Sequence, residues 1–176
     1  MCGIGGFQLK APVDFSVVQI LNTMLGWQHH RGPDYHDRWV NEDNTTGLCH
    51  NRLAILDLSE TGRQPMQTPN RRYTITFNGE IYNWRELRQQ LEASGVKFVG
   101  HSDTEVILYG FMKWGIGVLD KLRGMFAFSI WDEIEQSLLC ARDRIGKKPF
   151  IYGESDKGFF FASEIPPLKN IAPTAG

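Results

Sequence analysis

Few residues in this chain have the types and spacing to do chemistry together, and the first stands at position 2. "MCGIGGFQLK" sets Cys2 directly behind the initiator methionine, with glycines at 3, 5 and 6. Removal of Met1, which the small Cys2 side chain permits, would leave a thiol and a free α-amine on one carbon. An amine titrating at about 7.7–8.0 beside a thiol at about 8.5 is a nucleophile with its own base near neutral pH. Gly3, Gly5 and Gly6 would let the backbone close around that nucleophile and a ligand. The competing reading is a small hydrophobe in a glycine-rich opening strand.

Such a nucleophile needs an oxyanion hole, and "TFNGEIYN" (76–83) offers one. Asn78 is a side-chain amide donor at the end of an apolar strand, and Gly79 adds an unshielded backbone N–H. Two neutral donors suit a developing tetrahedral oxyanion. A plain Asn-Gly type I′ turn competes, weakened because "EIYNWREL" runs into a helix instead of a returning strand. Charge supplies the substrate grips. "CHNRLAILDL" sets Arg52 against an apolar strand, where a cation is costly unless it meets an anion. "GHSDTEV" sets Asp103 in the first turn of a helix, whose dipole favours an ionised carboxylate. A surface ion pair and a plain helix-terminal charge are the competing readings. Together the two describe grips for the carboxylate and ammonium of a free α-amino acid. Thiol and hole are then left to its side-chain carbonyl.

The elements that must position these groups alternate strands with a few helices. "GIGGFQL" (3–9) reads as an opening strand. Residues 16–28 read as a helix with a Ser16–Gln19 capping box and an apolar stripe of Val17, Leu21, Met24 and Gln28, widened by Val18 and Leu25. A second helix spans 84–94, with Asn83 as N-cap, Glu86 three on and Gly95 as its stop; a third spans 103–115, with Ser102 and Glu105 as capping pair. Strands are expected at "DRWV", "LAILD", "YTITFNG", "FAFSIWD", "SLLCARD", "PFIYG" and "GFFFASE", with "EIEQ" as a hairpin turn. "HRGPD" reads as a structural loop tied by an Arg31–Asp34 pair, and "RDRIGKKP" as a turn with a solvated face. The closing "PPLKNIAPTAG" reads as a tail or the start of a linker. Helices grouped between batches of hairpin-connected strands argue α+β layers, not a doubly wound parallel sheet.

Composition bounds the rest. The chain has 176 residues, 41% hydrophobic and 22% charged, with a formal net charge of −1, which fits one globular domain with a real core. That balance gives no reason to expect a nucleic-acid or membrane-surface partner. No apolar run approaches the roughly 20 residues of a membrane span, and residues 1–15 lack the basic stretch and apolar core expected of a secretory signal. Three cysteines, Cys2, Cys49 and Cys140, are odd in number and far apart, so a reducing cytoplasm is the default setting. None of the five histidines makes a metal-ligand spacing, and Cys49 and His50 would point to opposite faces of a strand, so no metal site is expected. "GIGGFQ" has Gln8 where a dinucleotide fingerprint needs glycine, and no G-x-S-x-G elbow occurs.

In order along the chain, "MCGIGGF", "HRGPD", "RLAILD", "FNGEIYN", "SDTEVIL", "GMFAFSIWD" and "ARDRIGKKPF" resemble class II glutamine amidotransferases. Within these the chain is similar to the N-terminal glutaminase domain of glutamine-hydrolysing asparagine synthetases. The resemblance runs from residue 2 to "FASEIPPLK" (161–169). It implies the N-terminal nucleophile hydrolase fold, a four-layer αββα sandwich with two antiparallel sheets, over residues 2–165, leaving 166–176 as the tail or linker start. It implies Cys2 as nucleophile with its amine as base, and Asn78 and Gly79 as the hole. Arg52, Asp103 and Glu80 become glutamine contacts, helped by backbone groups of Leu53, Ala54, Ile55 and Leu56, with Arg31 and Ser102 in support.

The implied reaction turns L-glutamine into glutamate and ammonia through a γ-glutamyl thioester, with no metal or organic cofactor in that half-reaction. ATP and magnesium would belong to a synthetase domain, whose Ser-Gly-Gly pyrophosphate loop this sequence lacks. Three expectations follow: a fragment, a free-standing subunit serving a synthetase-type acceptor of ammonia, or a domain retired to glutamine binding or partner docking. No oligomeric state follows from any of them.

Overall fold

Side-chain alternation along two strands decides the architecture. In the computed structural model, which describes residues 1–53 and 62–171, strand β1 (Gly3–Leu9) turns Phe7 and Leu9 to one face and Ile4 to the other. The later strand β5 (Tyr73–Ile81) turns Tyr73, Ile75, Phe77 and Ile81 one way, leaving Thr74, Thr76 and Asn78 on the opposite face. Each strand is buried on both faces, so each is sandwiched. The expected strand at "LAILD" falls mostly outside the described residues, as do Ala54, Ile55 and Leu56.

Between them the chain forms helix α1 (Val17–Trp27), a turn of 3₁₀ helix at His29–Arg31, and strands β2 (Tyr35–Val40), β3 (Thr46–Arg52) and β4 (Met66–Gln67). After β5 come helices α2 (Trp84–Ala93), α3 (Asp103–Trp114) and α4 (Val118–Lys121). Strands β6 (Gly124–Asp132), β7 (Ser137–Arg142), β8 (Ile151–Glu154) and β9 (Gly158–Ala162) follow, then helix α5 (Ile165–Ile171). One sheet has the order β2-β3-β1-β9-β8 and the other β4-β5-β6-β7, with every pairing antiparallel.

Three cores separate the four layers. Leu21, Met24, Leu25 and Ile171 cover Phe7 and Cys49, seating α1 and α5 on the first sheet. Leu87, Leu91, Val106 and Ile107 cover Ile75, Phe126 and Phe128, seating α2 and α3 on the second. Ile4, Leu48, Ala127, Trp131 and Phe161 fill the space between the sheets. Each fully buried large aliphatic or Phe side chain contributes about 1.5–3 kcal/mol. The α+β, αββα sandwich expected from the sequence is the observed fold.

Several local expectations need correction. Ser16 makes no side-chain cap; its carbonyl accepts from Gln19 N–H at 3.0 Å, and the exposed helix end can be satisfied by water. Asn83 does not cap α2 either, because its amide donates to Lys121 O and accepts from Arg123 N–H, both at 3.0 Å, closing the approach to β6. Ser102 does cap α3, accepting from Glu105 N–H at 3.2 Å. The Glu105 carboxylate does not complete a capping box; it takes the N–H groups of Val99 and Gly100. Asn78–Gly79 is not a type I′ turn, since both residues pair with β6 inside β5. The opening glycines do not make room for a ligand: a Cβ on Gly5 would meet Met24 and Cys49, and one on Gly6 would lie 2.5 Å from Gly47 O. Close approach of α1 and the neighbouring strands is what these positions require.

The stretch expected to be a tail opens as a helix instead. Pro166 and Pro167 fall in the first turn of α5, where the missing N–H costs nothing, and Pro167 and Ile171 are buried. Ile171→Ala is therefore expected to lower unfolding stability by about 2 kcal/mol, measured by urea denaturation. A solvated tail would give no change.

Candidate active site

Cys2 owes its position to strand register. Gly3 pairs with Asn51 across β1–β3, so the residue before Gly3 lies beside the end of β3 and the step to Leu53. Leu53 N–H donates to the Cys2 sulfur at 3.4 Å, and the Sγ–Leu53 O distance is 3.8 Å. Arg31 holds the same residue from behind: its Nε donates to Cys2 O at 3.0 Å and one terminal nitrogen to Glu164 at 2.9 Å. Burial alone would raise the Glu164 carboxyl, but hydrogen bonds from Arg31 and His30 hold it below the usual range. The "HRGPD" loop is thus tied by Arg31–Glu164, not by the expected Arg31–Asp34 pair, and it grips the backbone of the candidate nucleophile. Arg31 outlines no part of the pocket itself.

Beside Cys2 opens a pocket of about 760 Å³. Among the expected residues Arg52, Leu53, Asn78, Gly79, Glu80, Ser102 and Asp103 all line it. Asn78 is 2% exposed and its Nδ2 has no hydrogen-bond partner among the described residues. A buried amide donor left unpaired costs roughly 1–3 kcal/mol, so this one is poised for an acceptor.

Gly79 N–H is open as well, and strand geometry shows why. Odd-numbered residues of β5 direct their backbone groups away from β6: Ile81 N–H goes to Asp103 Oδ2 at 3.0 Å, and Phe77 N–H to Gln64. Gly79 shares that direction, and no described group meets its N–H. A Cβ at Gly79 would lie 2.3 Å from Met125 O, so β5 and β6 approach here only because the residue is glycine.

The helix terminus is expected to favour an ionised Asp103, and burial works against it, raising the carboxyl above its ordinary value. N–H groups of Ile81, Thr104 and Asp103 itself work against that rise, while nearby Glu80 adds to it. No described cation pairs with it, so a ligand ammonium would find an unneutralised acid there.

Among the pocket residues missed from the sequence, three carry polar chemistry at the site: Lys148, Gln64 and His50. Lys148, expected on a solvated face, is only 7% exposed, with its Nζ 3.5 Å from Met1 Sδ. Its loop is a turn, as expected, but a fastened one. Asp143 accepts from Phe126, Lys147 and Lys148 N–H, and Arg142 donates to Lys148 O at 2.6 Å. Gln64 and His50 line the pocket too, and single buried polar residues of this kind carry no periodic signal. Among the described residues, no group of three or more His, Cys, Asp or Glu side chains could hold a metal ion, and no helix is long and apolar enough to cross a membrane.

Cys2, just ahead of β1, and Asn78 and Gly79, on the second antiparallel sheet, thus share one pocket. The chain belongs to the glutamine amidotransferase domain family, whose model matches residues 1–175. It is 42% identical to asparagine synthetase [glutamine-hydrolyzing] 3 of Bacillus subtilis, over 94% of this chain and 27% of that protein. It is 38% identical to amidase chry2 of Gibberella zeae, over 94% of this chain and 26% of that one. The chain therefore spans about a quarter of the length of these relatives. In three dimensions it is similar to the glutamine phosphoribosylpyrophosphate amidotransferase of Bacillus subtilis, with a TM-score of 0.82 and 22% identity over 97% of this chain and 44% of that one. That likeness establishes the fold.

His50 gives the site a pH signature. Burial lowers its pKa from 6.5 to about 4, partly offset by its hydrogen bond to Phe77 O and reinforced by Arg52. The unfolded chain therefore binds more protons between pH 6.5 and about 4, and stability falls as pH drops through that window, by at most about 3 kcal/mol. His50→Gln is expected to flatten this decline in denaturation midpoints measured across the same range.

Proposed function

We propose that this domain is a glutaminase, hydrolysing L-glutamine to glutamate and ammonia. The observation that carries the reading is the unpartnered Asn78 amide, beside the open Gly79 N–H, in the pocket that holds Cys2. Arg52 would take the α-carboxylate and Asp103 the α-ammonium, with Glu80, Ser102 and backbone groups from Leu53 to Leu56 in support. Removal of Met1, which lines the same pocket, would free the α-amine and clear space for the substrate.

The amine takes the thiol proton, and the thiolate attacks the carbon of the side-chain amide. The resulting oxyanion accepts from Asn78 Nδ2 and Gly79 N–H, worth about 10²–10³ in rate per donor. Collapse passes the proton to the leaving nitrogen, releasing ammonia and a γ-glutamyl thioester. Water, deprotonated by the amine, then attacks the thioester through a second oxyanion in the same hole. Glutamate leaves and the thiol is restored. Atoms and charge balance without a metal or organic cofactor. The relatives named as glutamine-hydrolysing asparagine synthetases support a synthetase domain or subunit as acceptor of the ammonia, with ATP and magnesium used there. Cys2, Cys49 and Cys140 are all unbridged thiols, which suits a reducing cytoplasm.

Intact mass before and after treatment with a glutamine-shaped electrophile tests the nucleophile. Loss of Met1 and a single adduct, absent in Cys2→Ala, is the expected outcome; retained Met1 without an adduct would favour a non-catalytic binding module. Asp103→Asn should raise the KM for glutamine about 10- to 100-fold, the cost of one charge-assisted bond. Because the fold disfavours ionised Asp103, the same change should leave thermal stability at neutral pH undiminished.

A further inference from the structure

Resting on that glutaminase reading, we propose that Gln64 and His50 are positioning residues for the oxyanion hole, meeting backbone groups on an edge of β5 that no described strand reaches. Strand β4 pairs with β5 only at Ile75 and Thr74, so among the described residues this edge has no neighbouring strand beyond Ile75. An edge in that state leaves backbone groups to be met by water or by shifting of the strand. At Phe77 both groups are instead claimed by buried side chains. Phe77 N–H donates to Gln64 Oε1 at 2.6 Å, and Phe77 O accepts from His50 Nε2 at 3.1 Å. The Phe77 carbonyl belongs to the peptide that carries the Asn78 nitrogen, so these two bonds hold the backbone immediately before both donors.

The clamp is anchored on two sides. His50 comes from β3, in the same sheet as β1, which carries the Cys2 end of the site, and it is 1% exposed between the sheets. A bond to a carbonyl requires Nε2 to carry the proton, and the bare Nδ1 has no partner among the described residues. Gln64, 6% exposed, donates its Nε2 to Thr104 Oγ1 at 3.1 Å. It therefore ties the donor strand to the first turn of α3, next to Asp103, which holds Ile81 N–H two residues beyond Gly79. Phe77 and Ile81 are pinned on either side of Gly79, whose edge N–H no described group meets. The hole is thus referenced to the nucleophile through His50 and to the ammonium grip through Gln64.

Steady-state glutaminase kinetics on the full chain separate this role from a merely structural one. Gln64→Met keeps the volume but loses the acceptor, and should lower kcat about 10- to 100-fold with the KM for glutamine within about twofold, since the hole is used in the transition state. Gln64→Glu keeps an acceptor for Phe77 N–H and should recover most of that loss. Thr104→Val, which cuts only the anchor, should lower kcat by a smaller factor of about threefold, and it carries the test if Gln64→Met does not fold. Unchanged kcat in Thr104→Val and Gln64→Met, a rise in KM alone, or no recovery in Gln64→Glu would overturn the proposal. Wild-type protein that forms no ammonia from glutamine would instead overturn the glutaminase reading beneath it.

Discussion

An unpaired sheet edge is the constraint on which this site depends. Backbone N–H and C=O groups in a buried setting must find partners, and β5 runs past the end of its short neighbour β4 directly into the pocket. The fold meets that demand residue by residue, with Thr68 at Tyr73, Gln64 and His50 at Phe77, and Asp103 at Ile81. No described group meets Gly79 N–H, which belongs to the pocket that Cys2 also lines. A complete ladder would have been more stable locally and would have covered that donor.

The pocket accordingly holds polar groups whose burial is costly. Asn78 Nδ2 and His50 Nδ1 are buried without partners among the described residues, and the Asp103 carboxyl is raised by burial. Each is unfavourable in the folded state taken alone. Three apolar cores offset them, and the one between the sheets, built on Ile4, Trp131 and Phe161, fixes how far β1 lies from β5. Gly6 and Gly79 permit close strand approach within their own sheets, since a Cβ on either would strike a neighbouring strand at 2.5 Å or less. Unsatisfied donors and an unneutralised acid held rigidly in one pocket constitute preorganisation for a ligand carrying a carbonyl and an ammonium.

The sequence by itself determined the layers and pointed to Cys2, Arg52, Asn78, Gly79 and Asp103, which the fold gathers in one pocket, because these features leave local marks. Alternation in "YTITFNG" and the 3.6-residue stripe of Val17, Leu21 and Met24 are set by backbone geometry. Cysteine behind the initiator, Asn-Gly ahead of a helix and an acid in a first helical turn are informative through residue type alone. Only the tertiary structure decided what depends on groups distant in the chain. Arg31 chose Glu164 over nearby Asp34 because β9 ends beside the 3₁₀ turn. Lys148 was drawn from an apparently solvated turn to the N-terminus, and Asp103 was desolvated beyond what its helix dipole could offset. Gln64 and His50 found Phe77, 13 and 27 residues away. Periodicity and spacing report the energetics of neighbours along the chain; hydrogen-bond partners and burial are settled when the two sheets meet.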